Sequence, residues 1–363
     1  MTSPSSLHIN LDAIAHNWLS LRARHTGETA AVVKANAYGL GAASVAPKLF
    51  AAGCRNFFTA HLSEAIAIRP LIGNANLMVL HGILPDEAEL CTAHNITPVL
   101  SSLPGIALWQ AHAKRLGKPL PAFLQADTGM SRLGLSPAET ATLLNDRTRL
   151  DGITITYVMT HLMNAEIAEA PSNEVQFSRI LEFQSHFPGA KLSLANSSGL
   201  FLDPKFASDL ARPGAALYGI NPTPGRPNPL KPVVTLHGKI IAIREIEPGT
   251  QVGYNGIWTA QRPSRIATVA VGYADGYFRC LGNQSFGYFD DHPAPLVGRV
   301  SMDLTTFDIT GIENINLGDS LELIGKYCTP DDLALAANTN GYEILTALGQ
   351  RYQRHYTGAV SNA

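Results

Sequence analysis

Short apolar runs alternate with amphipathic stretches through the first two-thirds of the chain. The runs near 30–37, 57–60, 76–82, 96–100, 121–127, 153–161, 191–196 and 214–219 predict strands. Residues 12–24, 104–115 and 174–185 carry the spacing of helices that bury one face. Eight strands separated mostly by helices predict a (β/α)8 barrel of the TIM type. The segment NPTPGRPNPLKP, 221–232, holds five prolines in twelve residues. It suits neither a helix interior nor a central strand and reads as a stiff connection. Beyond it, VVTLHGKIIAIREI, RIATVAVGYADG, APLVGRVSMDLTTFDI and DSLELIG are β-rich runs broken by glycine and proline. They predict a C-terminal mainly-β domain, with one helix near 331–337. The expected division is a barrel over 1–225 and a β domain over 226–363.

Bulk properties narrow the function without naming it. The chain has 363 residues, enough for one large domain and a smaller one. A net charge of -2 argues against nucleic acid, whose phosphates need a basic face. The start, MTSPSSLHINLD, lacks a basic and then apolar leader, and no apolar run is long enough to span a bilayer. The four cysteines, Cys54, Cys91, Cys280 and Cys328, are far apart. That spacing suits reduced thiols in a cytoplasmic protein better than a disulfide frame or a zinc site.

Candidate chemistry centres on AVVKANAYGLG, 31–41. An apolar run ends at Lys34 and a turn follows at once. A charged amine there is costly to desolvate unless it is paired, neutralised or used covalently. Lysines that lose their proton readily in such places form Schiff bases, which brings in pyridoxal 5′-phosphate (PLP). A carboxylate partner or a solvent-facing amine are the alternatives. Asp127, His161, Asn196 and Arg212 also fall at or just past predicted strand ends or in the loop that follows one, the face on which barrel enzymes build their sites. In ANSSG, 195–199, small residues offer N–H groups to a phosphate or cap a helix.

The run around Lys34 resembles the lysine motif of the alanine racemases, PLP enzymes that interconvert L- and D-alanine. ADTGMSRLG, NSSG, ARPGAALYG, VGYNG, VGYADG, VGRVSMD and YEILTALG follow in that family's order. The resemblance covers nearly the whole chain. It implies racemisation by two bases through a PLP external aldimine, with Lys34 as the Schiff-base lysine and one base. Tyr254, in VGYNG, would be the second base, supplied by the other subunit of a homodimer. An unperturbed tyrosine titrates near ~10 and needs help to act near neutrality.

Further assignments follow from the resemblance. Tyr38, Asn196, Ser197, Gly214, Ala215 and Tyr342 would surround the phosphate. Arg212 would face the pyridine nitrogen. Guanidinium is a donor only, so that nitrogen must accept and stay unprotonated, which disfavours transamination. His161 would link Arg212 to the partner's Tyr254. Arg132, Met302 and Asp303 would meet the substrate carboxylate, and Tyr273 would narrow the entrance. Three positions depart from the family's usual residues. Leu40 stands where histidine is common, Ser301 where cysteine is common, and Gln125 where a carbamylated lysine normally orients the arginine. A chloride ion or the Gln125 amide is the expected substitute beside Arg132. The product, D-alanine, would feed peptidoglycan. The rival readings are a serine or broad-specificity racemase of the same fold, a PLP-dependent decarboxylase and a PLP-carrier protein.

Overall fold

The computed structural model describes residues 3–359. Its first unit is a closed parallel barrel. The strands are 28–32, Asn56–Thr59, Asn76–Val79, Thr97–Leu100, Leu120–Gln125, Ile153–Met159, Lys191–Ser193 and Leu210–Ala211. Each pairs with the next in sequence. The first strand is interrupted at Ala30. Its first half pairs with Leu210–Ala211 and its second half with Asn56–Thr59, so it closes the ring. The amides of Ala30 and Val32 complete the seam by donating to the carbonyls of Ala211 and Pro213.

A plug of side chains fills the barrel. Ala30, Val32, Phe58, Met78, Val99, Phe123, Met159 and Leu210 form one buried cluster. Phe58 meets Phe123 edge to face at 5.7 Å. Burying each larger side chain contributes about 1.5–3 kcal/mol. A solid interior leaves only the mouth, above the strand ends, for chemistry.

The helices lie where their spacing predicts, at Leu11–Ala23, Leu103–Leu116 and Pro171–Ser185. The Asn10 side chain caps the first by accepting from the Ala13 amide at 2.9 Å.

Two strand assignments need correction. The eighth strand is Leu210–Ala211, and the run 214–219 instead holds the 3₁₀ turn Ala215–Tyr218. Pro213 has no N–H to continue the ladder, and Gly214 permits the turn that follows. The first strand stops at Val32, well short of residue 37, because the chain then enters left-handed backbone.

The second unit is an eight-stranded sheet over the C-terminal segment. Val234–Ile246 is its central strand. Unexpectedly, Ser5–Asn10 belongs to this sheet, pairing antiparallel with Val234–Ile246 and parallel with the final strand Gln353–Thr357. Helix Pro330–Ala337 matches the expected one, and a second helix, Gly341–Ala347, reaches back to the barrel mouth. Among the described residues no helix is long and apolar enough to cross a membrane.

Candidate active site

A cavity of about 490 Å³ opens at the barrel mouth. Its walls include Lys34, Tyr38, Arg132, His161, Asn196, Ser197, Arg212, Gly214, Ala215 and Tyr342. Ten expected site residues, spread over three hundred positions of chain, therefore share one chamber.

Lys34 begins an unusual turn. Ala35, Asn36, Ala37 and Tyr38 all have φ between 51° and 55°. Left-handed backbone costs L-residues roughly 1–2 kcal/mol each, so four in succession need outside support. The Asn36 side chain accepts from the Ala42 amide at 2.8 Å, and Glu64 accepts from the Asn36 amide at 3.4 Å. The last strand clamps the far end. Arg354 Nη1 donates to the Gly39 carbonyl at 2.6 Å, and the Tyr356 hydroxyl donates to the Leu40 carbonyl at 3.0 Å. A Cβ on Gly39 would sit 2.3 Å from the Leu345 carbonyl oxygen, at a φ of 82°. Gly39→Ala is therefore expected to cost more than about 2 kcal/mol of stability. Chemical denaturation of the two proteins checks this.

No ion pair engages Lys34 among the described residues. Burial lowers its pKa, the Arg132 cation lowers it further, and only Glu64 opposes them. The result is an amine that gives up its proton more readily than an exposed lysine.

Arg212 lies across the cavity floor, 4% exposed. Its Nη1 donates to Ser193 Oγ at 2.5 Å and its Nη2 to the Thr160 carbonyl at 2.6 Å. Burial lowers its pKa to about 10, which still leaves it a cation and a pure donor at neutral pH. Ser193, buried at the end of the seventh strand, accepts this guanidinium while its own hydroxyl donates to the Leu210 carbonyl at 2.8 Å.

His161 sits beside the same floor. Burial, then Arg212, Arg132 and Lys34, hold its pKa down at about 3, so its ring is neutral. The ordinary value is 6.5. Below that pH the unfolded chain takes up a proton that the folded one refuses. His161 thus costs no stability above pH 6.5 and progressively more as pH falls toward about 3. His161→Gln is expected to flatten the loss of melting temperature between about pH 7 and about pH 5. Thermal melts of both proteins across that range decide it.

On the cavity's other side, Ser197 Oγ accepts the amides of Gly214 (3.0 Å) and Ala216 (3.2 Å). With its acceptor capacity used, its hydroxyl proton is left to donate. Tyr38 stacks on Tyr218 with centroids at 4.7 Å, and its hydroxyl fills the space a Gly214 Cβ would need, 2.3 Å away. Burial raises both Tyr38 and Tyr342, keeping these phenols protonated donors. Asn196 has a supporting place. It caps the Gly199 amide at 2.9 Å and donates to the Leu162 carbonyl at 3.3 Å.

Four expected residues stay out of this chamber. Tyr254 is 69% exposed, Met302 55% and Tyr273 42%, all on the C-terminal domain. They belong to one surface knot. The Tyr273 amide donates to the Ser301 carbonyl, the Ala274 amide to the Met302 carbonyl, and Gly253 packs near Arg299. Asp303 pairs with Arg351 at 2.8 Å, which also holds Asp275 at 2.6 Å. Gln125 is buried, and its amide donates to the Leu133 carbonyl at 3.2 Å, next to Arg132.

Comparison with known proteins supplies the family. A profile described as alanine racemase, N-terminal domain, matches residues 9–222, and one for the C-terminal domain matches 233–356. The chain belongs to the alanine racemase family. An alanine racemase from Acidiphilium cryptum is 52% identical over 96% of this chain and 98% of its own. A catabolic alanine racemase from Agrobacterium fabrum is 46% identical over 96% of this chain and 91% of its own. Among solved structures, the Bartonella henselae alanine racemase with covalently bound pyridoxal phosphate superposes with a TM-score of 0.94. It is 39% identical, covering 98% of this chain and all of the other. Alanine racemase motifs located the chamber. They carried no sign of the residues that brace it, Glu64, Thr160, Ser193, Arg354 and Tyr356, whose types are ordinary in any soluble protein.

Proposed function

We propose that this chain interconverts L- and D-alanine with PLP as cofactor and with Lys34 and Tyr254 as the two bases. The observation that carries the reading is the chamber itself. An amine with a lowered pKa and no carboxylate partner among the described residues lines the cavity, together with a donor-only guanidinium. Hydroxyl donors cluster at the other side.

That donor set fits PLP. Lys34 would hold the cofactor covalently, and Ser197, Tyr38, Tyr342 and the amide of Ala215 would hold its phosphate, with Asn196 and Gly214 shaping their surroundings. Arg212 would donate to the ring nitrogen and His161 would brace it as a neutral imidazole. When bound, PLP supplies the electron withdrawal that acidifies the substrate's α-C–H. Lys34 Nζ then holds or delivers the proton on the D face, and the partner's Tyr254 does so through its phenol oxygen on the L face. Each direction of the reaction exchanges these duties. Arg132, the Met302 amide and Asp303 orient the substrate carboxylate, and Tyr273 narrows the entrance.

The reading takes the protein as a homodimer, and what supports this is that Tyr254, Tyr273 and Met302 are large, exposed and absent from their own chain's chamber. In it, the segment 226–363 completes the partner's site. The Gln125 amide, or a chloride beside it, steadies Arg132. A cytoplasmic location suits the four unpaired cysteines. D-Alanine is the form that peptidoglycan synthesis consumes.

The test is a panel of L-amino acids incubated with the PLP-loaded protein and assayed for D-product and for CO2. Alanine is expected to give the fastest D-product with no CO2. Faster serine turnover overturns the substrate assignment, and CO2 release overturns the reaction type.

A further inference from the structure

Gln176 lies on helix Pro171–Ser185, outside the chamber walls, and is 1% exposed. Its side chain reaches into two barrel-mouth loops at once. Nε2 donates to the His161 carbonyl at 2.9 Å and to Thr128 Oγ1 at 3.1 Å. Oε1 accepts the Met163 amide at 3.0 Å. All three bonds end on the loops after strands Leu120–Gln125 and Ile153–Met159, and none serves the helix itself.

The network extends toward the cavity floor. Thr128 Oγ1 accepts from Gln176 and shares a hydrogen bond with Thr160 Oγ1, 2.7 Å away. The carbonyl of Thr160 in turn accepts Arg212 Nη2 at 2.6 Å. Arg179, one turn on along the same helix, pins Thr128 again by donating to its carbonyl at 2.9 Å. One buried amide thus ties the His161 main chain to the acceptor that aims the guanidinium.

We infer that Gln176 is a positioning residue for the cavity floor, acting through Thr128 and Thr160 on Arg212 and through the main chain on His161. The inference rests on the assignment of Arg212 to the cofactor's ring nitrogen. A helix residue required only for packing would be served as well by methionine, which has the same length and no polar atoms to satisfy. Gln176→Met removes the three bonds and leaves the Met163 amide and the His161 carbonyl without partners.

The experiment uses the PLP-loaded protein and compares Gln176→Met and Thr128→Val with the parent. Three quantities are read: kcat and KM for L-alanine per loaded site, the melting temperature, and the 15N resonance of ring-labelled PLP. Gln176→Met is expected to lower kcat roughly ten- to hundredfold with KM within about twofold, because misplacing a group near the reacting centre by about 1 Å costs on that order. The ring nitrogen resonance is expected to move in both variants, toward the protonated position. Should Gln176→Met not fold, Thr128→Val, which keeps the side chain's shape and breaks the same relay, carries the test alone. A folded variant that melts lower but keeps the parent's kcat and 15N resonance overturns the inference. If instead the parent racemises alanine but its own ring nitrogen is protonated, the assignment of Arg212 fails, and that result is separate from any effect of Gln176.

Discussion

Lys34→Ala is expected to lower alanine racemisation by more than about a thousandfold and to abolish covalent retention of PLP. The size follows from two duties falling on one nitrogen. The amine would anchor the cofactor, and once displaced by substrate it would be the proton carrier on the D face. Its surroundings favour both. Burial and the Arg132 cation lower its pKa, no carboxylate among the described residues pairs with it, and four left-handed residues aim the chain that bears it. Lys34→Arg is expected to fail as well, because a guanidinium neither condenses with an aldehyde nor gives up its proton. Borohydride reduction followed by peptide mass mapping reads the anchor, and turnover reads the base. A Lys34→Ala protein that keeps reducible, covalently bound PLP would place the anchor on another residue.

Tyr254→Phe is expected to lower racemisation about a hundred- to ten-thousandfold in both directions, the range that general acid–base groups contribute. It should not lower everything. Lys34 would still remove and return the α-proton of D-alanine on its own face. In heavy water the variant is therefore expected to exchange the α-hydrogen of D-alanine for deuterium while producing almost no L-alanine. Proton NMR of the recovered amino acid reads both quantities at once. Equal loss of exchange and inversion would mean that the phenol positions substrate and does not carry its proton.

Much of this site was legible in the sequence, for a physical reason. Lys34, His161 and Asn196 follow apolar runs, and in a parallel barrel the chain must pass the mouth after each strand. Counting runs therefore placed the chemistry before any distance was known. The eighth strand was misplaced because 214–219 is as apolar as a strand, yet buries itself as a 3₁₀ turn after Pro213 ends the ladder. The left-handed geometry of the turn after Lys34 gave no warning either. Ala35, Asn36, Ala37 and Tyr38 include no glycine, and their left-handed geometry is held by Glu64, Arg354 and Tyr356 from distant parts of the chain. The placement of Ser5–Asn10 in the C-terminal sheet is equally non-local, since alternation marks a strand but not its partner. Gln176 looked like any residue of an amphipathic helix. Only the fold shows that its amide ends on two loops, one of which holds Arg212 through the Thr160 carbonyl.

The most direct test of the account uses a hybrid dimer. Lys34→Ala and Tyr254→Phe chains carrying different affinity tags are co-expressed, and the mixed species is isolated on both tags. If the partner's Tyr254 completes the site, one of the two sites in each hybrid combines an intact Lys34 with an intact Tyr254. The hybrid is then expected to racemise alanine at about half the parent rate per dimer, although each variant alone is nearly inactive. A hybrid as inactive as either parent variant would contradict the account, because it would confine both groups to a single chain.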